Sequence, residues 1–212
     1  MYYNPDSEKI GYFYFPSDTG LTREYLVRKI NYEAGNISDT SFWYYKEIQK
    51  DLEVNPEGDT LFNIFRYLRD SDSVDWAIDS VIRIKKNKWR IIATENNIPY
   101  VKFIFPVEDM KKWNGNAYNS LEKEEYHYEE VSLKSGVLDK EYPVTVKVIQ
   151  KEFIDTIVYT LIKKEFYAAN IGMIYREYVN LNYCTESEEC IGKKQISSGV
   201  DFRQWLINYG DQ

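Results

Sequence analysis

Acidic side chains are the groups in this sequence best placed to do chemistry, because they occur in short clusters. The three clusters are Glu122–Tyr126 (EKEEY), Tyr128–Val131 (YEEV) and Glu186–Glu189 (ESEE). Two carboxyl groups at a suitable separation are sufficient to cleave a glycosidic bond. Runs of neighbouring acids are, however, typical of solvated strand edges and loops. We therefore predict a protein without catalytic residues, and a carboxylate-dependent hydrolase is the alternative.

Other catalytic chemistry lacks the residues that it needs. The chain has one histidine, His127, and two cysteines. A serine or cysteine triad would have to use that one imidazole, and no group of histidine, cysteine and acidic residues has the spacing of a zinc site. The ten glycines form neither a dinucleotide-binding fingerprint nor a P-loop. We predict no cofactor and no metal site.

The two cysteines, Cys184 and Cys190, predict a disulfide bond. They bracket five residues of an acidic turn, and no third cysteine competes for either thiol. The turn offers oxygen ligands but lacks the spacing and the glycine of an EF-hand. Disulfides persist in oxidising compartments, so the pair predicts a protein outside the cytosol. The alternative is a cytosolic inhibitor or immunity-type binding protein with two reduced thiols.

Composition indicates β-structure and disfavours two kinds of partner. Aromatic residues make up 17% of the chain, with 20 tyrosines among them, and such residues suit the half-buried surface of a sheet. The net charge of −7 disfavours a nucleic-acid partner, which needs a basic face. No apolar run reaches the roughly 18 residues that a membrane-spanning helix needs. We expect no nucleic acid and no direct membrane span.

Short stretches of alternating apolar and polar residues recur between turn signals, as is typical of antiparallel strands. A sheet with this many strands must curl to hide its apolar face. We predict one all-β domain over residues 1–212, with one or two short helices. Its curved antiparallel sheet would be an open half-barrel of lipoprotein-carrier type, and a closed barrel or two-sheet sandwich is the alternative. The predicted strands are Ile10–Phe15, Arg23–Tyr32, Ser41–Gln49, Thr60–Leu68, Asp75–Lys85, Lys88–Thr94, Tyr100–Phe105, Glu125–Leu133, Pro143–Gln150, Thr156–Lys164, Gly172–Leu181 and Asp201–Tyr209.

The longest irregular stretch, Pro106–Lys123, is the first place to expect a binding site. Loops beyond about 12–15 residues are usually functional or disordered, and the large aromatic residues of this one favour order. Aromatic faces beside side-chain amides suit sugar rings or an extended peptide. The alternative is that the tryptophan plugs an open end of the sheet. The candidate binding residues are Trp113, Asn114, Asn116 and Tyr118.

Several segments together resemble a family of uncharacterised secreted lipoproteins from Bacteroidetes-type bacteria, over most of the chain. The resemblance implies an outer-membrane lipoprotein in the periplasm or at the cell surface, and it implies no reaction. Members of such a family carry a lipidated cysteine after a cleaved leader. That cysteine is absent from this sequence, so contact with the membrane is expected only through an anchor that the sequence lacks. The markers are Phe15, Pro16 and Gly20 before Arg23–Tyr32, then Phe105-Pro106, Trp113–Asn119, Tyr167-Ala168, Gly172–Tyr175 and Tyr209-Gly210.

Four Asp-Ser/Thr-apolar tripeptides resemble the O-glycosylation signal that such bacteria use on exported proteins. Their acceptors would be Thr60, Ser73, Ser80 and Thr156, although similar strings also arise where strands begin. The sequence as a whole predicts a non-enzymatic protein of the cell envelope. Its partner would be a glycan, peptide or lipid-like ligand, or another protein.

Overall fold

The computed structural model describes residues 10–33 and 36–211. Strands make up 66% of the protein. The described residues form twelve strands and one 3-10 helix, Tyr12–Tyr14. The strands are β1 (Leu21–Glu33), β2 (Asn36–Val54), β3 (Thr60–Arg69), β4 (Ala77–Lys86), β5 (Arg90–Glu95), β6 (Ile98–Ile104), β7 (Lys112–Asn114), β8 (Glu125–Val137), β9 (Lys140–Ile154), β10 (Tyr159–Ala168), β11 (Gly172–Tyr183) and β12 (Ile196–Asp211).

All twelve strands belong to one sheet in the order β6-β5-β4-β3-β2-β1-β12-β11-β10-β9-β8-β7. Strands that follow one another in the chain pair antiparallel, except β6 and β7, which form the two edges. The first and last strands, β1 and β12, pair in the middle of the sheet. The sheet curls into a nearly closed barrel with one unsealed seam. The predicted fold class, a single curved antiparallel sheet, is confirmed.

Successive hairpin turns lie at alternate ends of an antiparallel sheet. The turns between β3 and β4, β5 and β6, β9 and β10, and β11 and β12 therefore share one end, which we call the open end. The last of these turns contains the disulfide bond between Cys184 and Cys190, the pairing that the sequence predicts.

The opposite end of the barrel is plugged by the segment before β1. Its aromatic side chain Phe15 lies against Phe103 and Tyr167, with ring centroids 5.9 and 6.0 Å away. The ammonium group of Lys86 donates a 2.7 Å hydrogen bond to the carbonyl oxygen of Phe15. Burial lowers the pKa of Lys86 to about 8. The plug thus closes the apolar end of the interior.

The prediction of a first strand over Ile10–Phe15 was wrong. Gly11 has a φ of +83°, in the left-handed region, and the amide of Tyr14 donates to its carbonyl oxygen. A left-handed residue followed by a tight turn cannot continue a pleated strand. Tyr14 and Phe15 are buried, and Tyr12 and Phe13 are half-buried, because the segment fills the barrel end.

The seam between β6 and β7 is bridged by the long loop that the sequence singled out. The amide of Val101 on β6 donates a 2.8 Å bond to the carbonyl oxygen of Gly115. The indole of Trp113 donates to the carbonyl oxygen of Val101 at 2.7 Å. The side-chain amide of Asn119 donates to the carbonyl oxygen of Pro99 at 2.8 Å. Backbone groups of an edge strand would otherwise be open to pairing with other chains. Backbone and side-chain groups of the loop satisfy three of them here.

Candidate functional site

The inner face of the sheet carries a layer of charged side chains near the middle of the barrel. Because strand side chains alternate between faces, these residues occupy inward positions among apolar neighbours, as Arg23 does between Leu21 and Tyr25. We call this set the ion-pair layer. It consists of Arg23, Glu47, Arg66, Glu95, Lys102, Glu165 and Arg176.

Glu47 organises one half of the ion-pair layer. Its register neighbours are Arg23 on β1 and Arg66 on β3. A carboxylate oxygen of Glu47 accepts hydrogen bonds from Arg66 at 2.7 and 3.1 Å, and the other lies 3.6 Å from the Arg23 guanidinium. Burial alone would raise the pKa of Glu47, but the two guanidinium groups outweigh it and lower the pKa. Glu47 is therefore a buried carboxylate that pairs with two guanidinium groups.

Glu165 organises the other half. It is 2% exposed, and one of its oxygens lies 2.9 Å from the Lys102 ammonium and 2.8 Å from the Arg176 guanidinium. Its second oxygen accepts a 2.7 Å hydrogen bond from the Tyr167 hydroxyl. Lys102 also lies 3.1 Å from Glu95. The cluster is fully paired, as a buried group of charges must be to persist.

A β-bulge places Lys102 in this layer. In the pairing of β5 with β6, Ile91 lies opposite Phe103 while Ile92 lies opposite Val101, so Lys102 is the extra residue. Bulges of this kind redirect a side chain that regular alternation would place elsewhere. The bulge lets Lys102 and its neighbour Phe103 both enter the barrel interior.

The two carboxylates that share Lys102 have no proton to give at neutral pH. Burial alone would raise the pKa of Glu95 and of Glu165, but the charges of Lys102 and Arg176 lower each pKa to about 2. Glycosidic hydrolysis needs one carboxylic acid with a raised pKa as proton donor. Neither carboxyl group of this pair is therefore suited to be that proton donor.

Two cavities lie on either side of the layer, and Glu95, Lys102 and Arg176 border both. The inner cavity has a volume of about 40 Å³ and is walled mainly by apolar side chains between the layer and the plug. The outer cavity has a volume of about 280 Å³ and opens toward the open end. The ion-pair layer thus divides an apolar interior from a polar opening.

The outer cavity is lined by polar and aromatic groups from six strands, from the turn between β5 and β6, and from the residue before β8. Three tyrosines from different strands border it, namely Tyr100, Tyr126 and Tyr178. The amide side chain of Gln150 adds a further polar group, and Lys163 does so while paired with Glu124 at 2.8 Å. The remaining lining residues are Glu95, Asn96, Ile98, Lys102, Glu165, Arg176 and Glu177.

The structure places the predicted binding residues of the long loop at the seam and not in this cavity. Trp113 is 8% exposed, and its ring lies 4.5 Å from that of Tyr128. Asn114 and Asn116 bond to the loop itself: the Asn114 side-chain oxygen accepts from the amide of Asn116, whose side chain donates to the carbonyl oxygen of Glu122. This geometry favours a structural role for Trp113, which packs at the seam and not at an end of the barrel.

Tyr118 is the one exposed member of that predicted set, and its hydroxyl accepts a hydrogen bond from Arg90. Ligand binding at Tyr118 stays a prediction. The O-glycosylation candidates also stay predictions. Ser73 and Thr156 are exposed in turns, whereas Thr60 and Ser80 are half-buried on strands.

His127, the one histidine, lies on β8 with its ring 3.0 Å from the carboxylate of Glu129. Across residues 10–33 and 36–211, no three histidine, cysteine or acidic residues are grouped as a metal ion requires. Within the same described ranges, no helix has both the length and the apolar character needed to cross a bilayer.

Sequence reasoning missed the ion-pair layer, although one signal was present. Arg23, Glu47 and Arg66 each share a strand face with apolar or aromatic residues, and a charge in such a set implies burial with a partner. The partners lie on other strands, at positions that depend on the register of each pair. The alternating pattern can thus show that these charged residues are buried. Only the register of the paired strands shows which of them are partners.

The sequence matches no protein-family profile and no curated protein. Two solved structures resemble it. One is a "putative exported protein with YmcC-like fold" from Bacteroides fragilis, with 12% identity, a TM-score of 0.46, and coverage of 94% of this chain and 99% of that one. The other is a "putative lipoprotein" from Parabacteroides distasonis, with 12% identity, a TM-score of 0.43, and coverage of 93% and 98%. At this identity and these TM-scores, the similarities carry no inference about ligand, activity or location.

Proposed function

We propose that the protein is a non-enzymatic binding protein that holds one small polar ligand in the outer cavity. The observation that carries this proposal is the lining: three tyrosine rings, side-chain amides and a paired charge layer surround about 280 Å³ beside the open end. Small-molecule sites typically combine aromatic walls with a few placed polar groups. The ion-pair layer forms a polar floor of fixed charges. Its carboxyl groups Glu95 and Glu165 have lowered pKa values and are not suited to be the proton donor that a hydrolase needs.

Tyr178→Ala tests this proposal, because Tyr178 is a half-buried wall of the outer cavity. A panel of neutral sugars, amino sugars, sugar acids and amino acids would be titrated into the wild-type protein by calorimetry. We expect at least one compound to bind, and the substitution to weaken its binding about tenfold, since an aromatic contact contributes about 1.4 kcal/mol.

The matched control is Tyr209→Ala, which removes an exposed tyrosine of β12 that lines neither cavity. It should leave the dissociation constant unchanged. Binding that Tyr178→Ala does not alter, or no binding by any compound of the panel, would contradict a ligand site in the outer cavity.

We infer that the protein works outside the cytosol, in the cell envelope. The Cys184–Cys190 bond supports this inference, because such bonds persist in oxidising compartments. An outer-membrane lipoprotein is the form that the sequence resemblance favours. Protein recovered from its native host and alkylated without reductant should have no labelled cysteine by intact mass. Two labelled cysteines would place the protein in a reducing compartment.

A further inference from the structure

The hydrogen-bonding groups around the outer cavity are unequally satisfied. All the carboxylates that border it hold a cation: Glu95 pairs with Lys102, Glu124 with Lys163, Glu165 with Lys102 and Arg176, and Glu177 with Lys164 and Arg203. Their oxygens therefore have little capacity left for the donors of a ligand. An amine or ammonium group in the cavity would compete with these existing pairs.

Two donors of residues that border the cavity, by contrast, have no acceptor within the described residues. The side-chain nitrogen Nε2 of Gln150 and the Nε of Arg176 are both buried, and neither has a hydrogen-bond partner within the described residues. Both residues border the outer cavity. An N–H group that is buried without an acceptor costs about 1–3 kcal/mol. A ligand that brings oxygen acceptors to these two donors would remove that cost.

A second β-bulge places Gln150 at the outer cavity. In the pairing of β10 with β9, Lys163 lies opposite Lys151 and Lys164 lies opposite Ile149, so Gln150 is the extra residue. Bulges cluster beside binding sites because they redirect a side chain. Gln150 from β9 and Arg176 from β11 thus border the same cavity, on strands that flank β10.

We propose that the ligand of the outer cavity is a small carboxylate that also carries hydroxyl groups, the chemistry of a sugar acid. Its carboxylate would accept from Arg176 and Gln150, which combine a fixed charge with an unpaired amide donor. The rings of Tyr100, Tyr126 and Tyr178 would lie against the sugar ring, and their hydroxyl groups would bond to its hydroxyls. One anionic group suffices, because every cation around the cavity already holds a carboxylate and Arg176 has its Nε left to donate. This inference rests on the proposed function and specifies its ligand class.

Calorimetric titration with D-glucuronate, D-glucose and D-glucosamine tests the ligand class. The three probes share a ring and differ in carrying an anionic, a neutral or a cationic group. We expect D-glucuronate to bind about tenfold or more tightly than either of the others, the effect of a hydrogen-bonded charge. Equal or tighter binding of D-glucose or D-glucosamine would overturn the sugar-acid assignment. If that binding is weakened by Tyr178→Ala, the proposed function would nevertheless stand.

Gln150→Leu tests the donor directly and separates binding from structure. Because Nε2 has no partner among residues 10–33 and 36–211, its removal should not lower the melting temperature, yet it should weaken D-glucuronate binding about tenfold. Gln150→Glu, which replaces the donor by a negative charge, should weaken it further. A lower melting temperature with unchanged affinity would show that Gln150 is structural, and it would overturn the assignment, as would the failure of D-glucuronate to bind the wild-type protein.

Discussion

Replacing Glu165 by glutamine is expected to lower the free energy of unfolding by about 3–5 kcal/mol. The neutral amide would leave the Lys102 ammonium and the Arg176 guanidinium, now 2.9 and 2.8 Å from the carboxylate, without their shared anion. Glu95, 3.1 Å from Lys102 and 3.9 Å from Arg176, would then serve both buried cations, and much of their desolvation penalty would be unopposed. Urea unfolding followed by tryptophan fluorescence measures the loss.

Glu125→Gln is the matched control for this substitution. Glu125 pairs with Lys112 at 2.8 Å, but both side chains are about half exposed. Exposed pairs contribute between zero and about 1 kcal/mol. Similar losses in the two variants would mean that water reaches Glu165 freely, which would contradict its burial in the ion-pair layer.

Acid should destabilise the protein through the same carboxylates. The pKa of Glu95 and of Glu165 is about 2 in the folded protein, compared with 4.5 in the absence of partners. A lowered pKa contributes stability that is complete above the unfolded value and is lost as the pH falls toward the folded value. Unfolding free energy should therefore decrease between about pH 5 and pH 2. That decrease should be smaller in Glu165→Gln than in Glu125→Gln, and equal slopes would contradict the assignment.

Alternation was sufficient to predict the sheet from the sequence. Eleven of the twelve predicted segments coincide with strands, and the predicted strand Gly172–Leu181 lies within β11, Gly172–Tyr183. The three-residue strand β7 was missed because so short a segment has no period of its own. Helical spacing can also be read in Asp51–Leu68 and Phe153–Phe166, but the structure places these residues in strands and turns. Their β-branched and aromatic residues favour the pleated surface.

The candidate site could not be predicted in the same way, because it depends on register and on bulges. Glu165 and Arg176 become neighbours only when β10 and β11 pair in one particular register. A register shift of one residue would move each to the opposite face. Lys102 and Gln150 both enter through bulges, which break the alternation that sequence reasoning relies on. Two of the residues that border the outer cavity thus interrupt the regular pattern.

Truncating Trp113 to alanine is expected to cost about 3–5 kcal/mol of unfolding free energy. Trp113 is 8% exposed and packs on Tyr126 and Tyr128 of the neighbouring strand β8, and its indole donates across the seam to the carbonyl oxygen of Val101. The substitution would create a cavity and leave an edge-strand carbonyl without its partner, two costs that act together. A ligand-binding tryptophan would show the opposite behaviour, since its removal would weaken binding and leave the fold almost as stable.

Trp89→Ala provides the comparison, because Trp89 is 57% exposed at the turn between β4 and β5. Its loss should change the unfolding free energy by no more than about 0.5 kcal/mol. Hydrogen exchange adds a local measurement: the amide of Val101, which bonds to Gly115 across the seam, should exchange faster in Trp113→Ala than in Trp89→Ala. Equal stability of the two variants would contradict a structural role for Trp113 and would favour its role in ligand binding. A large difference, with faster exchange at Val101, would establish that this loop holds the two edges of the sheet together and so maintains the walls of the outer cavity.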